Sequence, residues 1–376
     1  SSLPNSIVQV SPVTKFHSGA GYQYEDSVIY GFTHTNKGHW NLCHIPLLPV
    51  TGTPLPRDYC SPYSHARESA APGYFRVFLD RYGVDVELTA TKRVGLHKYT
   101  FPASQEAAVV FDLENGGCWD KATETAFVSD GLRLSGYRYS TGWAKDHRVY
   151  FTAEFSKPVK NISYPGASET VPEEGDVTVK GRYARVEFET TDGEPLYMKV
   201  AISPVSIENA KLNMQAELPG WDFEATAAAA DKAWNAELQK VRVETTDEAA
   251  RRIFYTALYH TMVAPSEFCD VNGDYRGADG EIYRAAPFVN YTTFSLWDTY
   301  RAAQPLMTIL HPEKMPDIAN TMLHIYTQQG KLPVWHLAGN ETDCMVGNPG
   351  IPAMADIVLK GYGGFDKELA YEALKK

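Results

Sequence analysis

Near residue 205 the hydrophobic period of this chain changes, and one layered core cannot be built from both halves. From residue 7 to about 203 the sequence runs in short alternating stretches broken by Gly, Pro, Asn and Asp. Residues 84–91 are typical: Val84, Val86, Leu88 and Ala90 fall on one face, and Asp85, Glu87, Thr89 and Thr91 on the other. Residues 74–82, 132–140, 148–156, 183–191 and 196–203 alternate in the same way, with no helical stretches between them. Many short strands joined by turns predict an antiparallel β-sandwich and exclude a parallel α/β sheet.

After residue 206 the period becomes helical. Phe223, Ala227, Ala230, Trp234 and Leu238 recur at steps of three and four. Thr245-x-x-Glu248 reads as a capping box opening a helix to about residue 262, with Ile253, Phe254, Ala257 and Leu258 on one side. Pro316 and Gly330 bracket a further helix containing Ile318, Met322 and Tyr326. Another runs from Pro352, at its first position, to Gly361 just past its end, and the residues from Asp366 onward are again helical in pattern. The expected plan is a β-sandwich over 1–205, a helical linker over 206–244 and a helical domain over 245–376. A handful of amphipathic helices with aromatic inner faces cannot enclose a core alone, so that last domain reads as unfinished.

The net charge of −11 argues against a nucleic-acid surface, which needs clustered Lys and Arg to displace counterions. No apolar run approaches the roughly 18 residues of a membrane span. Five scattered cysteines without C-x-x-C spacing imply neither a zinc site nor a disulfide framework.

Four strings could carry chemistry. In residues 291–305, Trp297, Asp298 and Arg301 cluster at the start of an expected helix, with Asp298 and Arg301 on one face. A Trp beside a carboxylate suits a sugar, since the ring covers the apolar face of a pyranose and the carboxylate accepts from its hydroxyls. Ser295-x-x-Asp298 is equally a capping box, with Trp297 in the core. Residues 332–352, a Gly-rich stretch between two helices, offer His336, Asn340, Glu341 and Asp343 for proton transfer, hydroxyl recognition or metal ligation, or as solvated loop charges. Residues 270–281 space their oxygen side chains like a calcium loop, but Tyr275 stands where the sharp turn needs Gly, so an exposed connector is the better reading. In residues 19–52, His34, His39, Trp40 and His44 interleave with Gly, as does His17 just before, on what would be loops at a sandwich edge. Ligand contact and plain structure explain these histidines almost equally.

Taken together, GYQYEDSVIYGFTHT, GYFRVFLDRYGVDVELTATKRVGLHKYTFP, FYTALYHTMVAPSEFCDVNGDYRG, FSLWDTYRAAQPL and WHLAGNETDCMVGNPGIPAMAD resemble the family 92 glycoside hydrolases, in order and through almost the whole chain. The resemblance implies a β-sandwich joined to an (α/α)6 barrel, here incomplete. It implies removal of terminal α-mannose from mannose-containing glycans, with inversion, by a Glu acid and an Asp base aided by Ca2+. It places the acid, the base and most calcium ligands in motifs that do not occur before Lys376, so a separate C-terminal chain is an expected partner. Trp297 and Asp298 resemble the residues that hold mannose. Arg301, His336, Asn340, Glu341, Asp343 and His34 are expected neighbours on the substrate. The implied location is secreted, periplasmic or cell-surface in a bacterium. The alternative is a carbohydrate-binding fragment without catalysis.

Overall fold

The computed structural model describes residues 1–37, 40–53, 58–172 and 175–376. Backbone contacts divide them into two compact units, residues 1–143 with 148–235, and residues 144–147 with 236–376.

Unit 1 is built on two large sheets. One has six strands in the order Ser11–Val13, Gly31–Thr33, Leu47–Thr51, Ser104–Asp112, Tyr183–Thr190 and Asn161–Ser163. The other has ten, among which Pro195–Ser203, Val94–Thr100, Val84–Ala90 and Tyr74–Leu79 lie side by side and pair antiparallel. The alternation read from the sequence holds here: Val84, Val86 and Leu88 are fully buried. Rings from both sheets meet in the core, Phe111 against Phe151 at 6.1 Å and Phe155 against Phe188 at 5.2 Å. This is the expected face-to-face sandwich.

Helices α1 (Ile207–Glu217) and α2 (Phe223–Leu238) follow the last strand. Ser206 caps α1 by accepting from the amide of Asn209. Met214, Leu218 and Phe223 pack on Val94, Leu96 and Ala201 of the ten-stranded sheet. The predicted stripe of α2 is real, with Phe223, Ala230 and Trp234 buried, and the indole of Trp234 donates to the carbonyl of Ser2.

Unit 2 holds α3 (Glu248–His260), α4 (Leu296–Thr299), α5 (Ala303–Leu310), α6 (Met315–Gln329), α7 (Gly350–Leu359) and α8 (Lys367–Leu374), with several short strand pairs. Its core gathers Phe294, Leu296, Met307, Ile318, Met322, Leu323, Ala353, Met354 and Ala370. Gly330, at φ +83°, ends α6 in the left-handed conformation expected of a glycine cap. Three local expectations shift. Asp247, not Thr245, caps α3, accepting from the amide of Ala250, while Thr245 accepts from Asp247. α7 begins at Gly350, two residues before Pro352. On α3 only Leu258 is buried, and Ile253 is 69% exposed. No helix among the described residues is long and apolar enough to cross a membrane.

Candidate functional site

Two of the candidate strings, distant in sequence, meet in unit 2 on a single three-stranded sheet. Phe294–Ser295 pairs with Trp335–Leu337, which pairs in turn with Asn340–Glu341. The register sets Ser295 against Trp335 and His336 against Glu341. The turn carrying Trp297 and Asp298 and the hairpin carrying Asn340 and Glu341 are thus fixed to one small scaffold. Strands this short bury little by themselves, and side-chain hydrogen bonds hold the arrangement.

Trp297 is 44% exposed, and Asp298 is exposed beside it. The Ser295 hydroxyl donates to the carboxylate of Asp298 and makes no bond to a helix amide, so the expected capping box does not form. α4 lasts four residues, and the chain breaks before restarting at Ala303. Arg301 falls in that break. Its guanidinium lies 5.0 Å over the ring of Tyr300.

Glu341 accepts from the backbone amides of Val334 at 2.8 Å, Trp335 at 2.9 Å and Asp343 at 3.1 Å. These amides need an acceptor where the strands end, and the carboxylate supplies it, so Glu341 organises the hairpin. Asn340 accepts from the amide of Asp146 at 3.1 Å and donates to its carbonyl at 2.9 Å. The nearly buried Arg276 donates to the same carbonyl at 3.0 Å and ion-pairs with the Asp146 side chain. Arg276 was not foreseen as a positioning residue. Its only sequence signal is a lone cation inside a turn-rich string. Asp343, at φ +49°, ion-pairs with Lys331 at the surface.

His336 is buried, and burial pushes its pKa down to about 3, so the ring is neutral. Thr292 Oγ1 accepts from the Ala338 amide at 2.7 Å and lies 3.1 Å from His336 Nδ1, which favours the tautomer protonated on Nε2. That Nε2 is enclosed with no hydrogen-bond partner.

The described residues of the other two strings are held largely by the fold. His34 is not on a loop at the sandwich edge: it is fully buried in unit 1, with Nδ1 3.0 Å from the Ile45 carbonyl and Nε2 3.0 Å from Nε2 of His97. Gly95 makes the space, since a Cβ there would lie 3.0 Å from the His34 ring. His44 is also buried, while His39 lies outside the described residues, as does the side chain of Trp40. Residues 270–281 are not an exposed connector, because Asp270 and Asp274 are buried. Asp274 accepts from Asn272 and the Ala285 amide and ion-pairs with Arg284, a set of partners that scaffolds a turn.

A calcium ion needs six to eight oxygen ligands. In unit 2 the carboxylates of Glu341, Asp343 and Asp274 are already committed to amides or cations, as given above. Glu237, His311 and Glu313 converge as a metal site would. However, the ammonium of Lys240 stands among them, 2.9 Å from Glu237, 3.2 Å from Glu313 and 3.1 Å from His311. The His311 hydrogen bond, with help from Lys240, holds Glu237 down at about 2. These donors do not fit Ca2+. The exposed Trp297 ring beside Asp298 is, among the described residues of unit 2, an arrangement suited to a sugar.

Residues 1–203 match the family described as glycosyl hydrolase family 92 N-terminal domain, and residues 209–376 the glycosyl hydrolase family 92 catalytic domain. The fold is similar to that of the family GH92 alpha-mannosidase BT3965 from Bacteroides thetaiotaomicron, at 34% identity and TM-score 0.92, covering 100% of this chain and 54% of that one. It is also similar to the family GH92 inverting mannosidase BT2199 from Bacteroides thetaiotaomicron VPI-5482, at 28% identity and TM-score 0.87, covering 99% and 51%. The chain spans about half the length of the solved structures it matches. No curated protein matches it.

Proposed function

The chain belongs to glycosyl hydrolase family 92, and from that premise we propose that it forms part of an enzyme releasing terminal α-linked mannose from glycans by a calcium-dependent, inverting mechanism. The observation that carries this reading is the 34% identity to an alpha-mannosidase along the entire chain, with Trp297 and Asp298 presented together at the surface of the family's catalytic domain.

In this reading the chain's residues bind and orient. Trp297 covers the apolar face of the mannose ring, and Asp298, oriented by Ser295, accepts from neighbouring hydroxyls. Arg301 reaches a hydroxyl or glycosidic oxygen from the break before α5. Neutral His336, buried with its Nε2 enclosed, supports the sheet beneath the site and does not reach the sugar. Asn340, Glu341 and Asp343 fix the hairpin beside them and stay off the sugar.

Inversion needs an acid and a base about 6.5–9.5 Å apart with a water between. In this reading Glu341 and Asp343 are engaged within the hairpin and Asp298 is given to the sugar hydroxyls. As the family resemblance implies, the acid, the base and most of the Ca2+ ligands are proposed to come from a C-terminal part of the enzyme outside these residues. Calcium would polarise the sugar hydroxyls and favour ring distortion. Unit 2 is then the first part of an (α/α)6 barrel, consistent with the exposed side of α3. The proposed location is secreted, periplasmic or cell-surface.

The test is hydrolysis of an aryl α-mannoside by this chain alone and after mixing with a separately produced C-terminal half. Activity is expected only in the mixture, lost on chelation and weakened at least tenfold by Asp298→Ala. Turnover by the chain alone overturns the placement of acid and base, and a reconstituted enzyme that spares α-mannosides overturns the substrate.

A further inference from the structure

Unit 1 carries an aromatic stripe on the ten-stranded sheet that the sugar-holding reading of unit 2 does not use. Strands Lys121–Ser129 and Leu134–Thr141 pair antiparallel with Lys121 opposite Thr141, and Trp119 and Trp143 stand two positions beyond that end of the ladder. Their rings stack at 4.8 Å with an interplanar angle of 15°. Trp119 is 66% exposed.

Trp119 adopts φ +56°, a left-handed conformation that bulky residues avoid and that persists only where surroundings enforce it. The enforcement is visible. The adjacent Asp120 pairs with Arg138, whose side chain is entirely buried and also donates to the Leu113 carbonyl at 2.9 Å. Gly142 lets the backbones close, since a Cβ there would lie 2.8 Å from the Trp119 carbonyl oxygen.

Along the same strand Tyr137, Tyr139 and Thr141 alternate with buried Arg138 and Ser140, which places these three on the outer face. The rings of Tyr137 and Tyr139 stack at 4.7 Å. Their hydroxyls are held in place: Tyr137 donates to Glu124 at 2.7 Å, and Tyr139 lies 2.8 Å from the hydroxyl of Tyr150. From Tyr137 to Trp143 the strand advances about 20 Å at roughly 3.3 Å per residue. Tyr139 is covered on one side by Tyr137 and approached by the Arg148 guanidinium at 5.0 Å, so the open ring face is that of Trp119, and the tyrosines add hydroxyl-bearing edges beside the Glu124 carboxylate. An exposed indole face with such edges along one strand suits a chain of pyranoses, whose C–H faces stack on a ring while their hydroxyls seek acceptors.

We propose that this stripe binds an oligosaccharide stretch of the glycan, making unit 1 a carbohydrate-binding surface in its own right, with Trp119 as its anchor. The inference rests on the glycan-directed reading above for its ligand class.

The 376-residue chain is titrated with mannotetraose and with methyl α-mannoside, followed by tryptophan fluorescence and calorimetry. Mannotetraose should bind more tightly than the monosaccharide. Trp119→Ala should weaken it about tenfold, the loss of one aromatic stack, whereas Trp119→Phe, which keeps a ring, should lose about threefold at most. Circular dichroism melts of both variants should match the parent, since Trp119 is largely exposed. Equal affinity of Trp119→Ala and parent, or no oligosaccharide binding at millimolar sugar, overturns the proposal. So does sedimentation showing that Trp119→Ala abolishes self-association of the parent, since the face would then join two copies. Aryl α-mannoside hydrolysis by the reconstituted enzyme should be untouched by Trp119→Ala, so failure of the stripe and failure of the mannosidase reading give different results.

Discussion

The sandwich of unit 1 and the helices of unit 2 treat an apolar periodicity in opposite ways. In unit 1 the alternating residues of 84–90 meet an opposing sheet, and Val84, Val86 and Leu88 vanish from solvent. In unit 2, α6 behaves likewise, burying Ile318, Met322, Leu323, Ile325 and Tyr326. α3 carries an equally regular stripe, yet Ile253 and Ala257 stay exposed and Leu258 alone is buried. Periodicity names the face that could be buried. It does not supply the partner that buries it.

The largest effect expected from that contrast is in α6. Met322→Ala removes a fully buried side chain from the core of unit 2 and should cost about 2–5 kcal/mol in urea unfolding. A loss below about 1 kcal/mol would mean that α6 is as loosely covered as α3.

The next concerns the buried imidazoles of unit 1. Burial lowers the pKa of His34 to about 4, and His97 is lowered as well, foremost by burial. Above the ordinary value of 6.5 both rings are neutral folded or unfolded, so no stability is lost there. As pH falls below about 6.5 the unfolded chain takes up protons that the fold refuses, and stability declines until about pH 4. For His34 the loss is on the order of 3 kcal/mol between those limits. Urea midpoints at pH 7 and 4.5 should show it, and His34→Gln should reduce the difference. An identical pH dependence in that variant would show that the pair is wet in solution.

The smallest effect sharpens the comparison most. Ile253→Ser on α3 should change stability by no more than about 0.5 kcal/mol in this chain, as for other exposed sites. Repeated with a C-terminal half bound, the same substitution should weaken association. A large stability loss in the isolated chain would show that the α3 face is already covered.

Much of the fold was legible in residues. Alternation marked the strands of the sandwich, and Gly330 and Asp366 marked where helices end and begin, because caps and periods are local properties. The site was legible only as two strings. Glu341 and Asn340 looked like free polar groups because their partners, the amides of Val334 and Trp335 and the backbone of Asp146, are set by hairpin closure. The interruption at 300–302, where Arg301 sits, was not legible because a helix period read through 296–310 does not reveal it. His34 was read as a loop residue because its partner His97 lies 63 positions away.

What the sequence determined alone was the pair of architectures and the family, since burial period and long ordered strings survive without coordinates. The tertiary structure alone decided which polar groups are spent on the fold and which still face solvent. That distinction depends on neighbours brought from far along the chain, and a hydrogen bond once given to an amide is no longer available to a sugar.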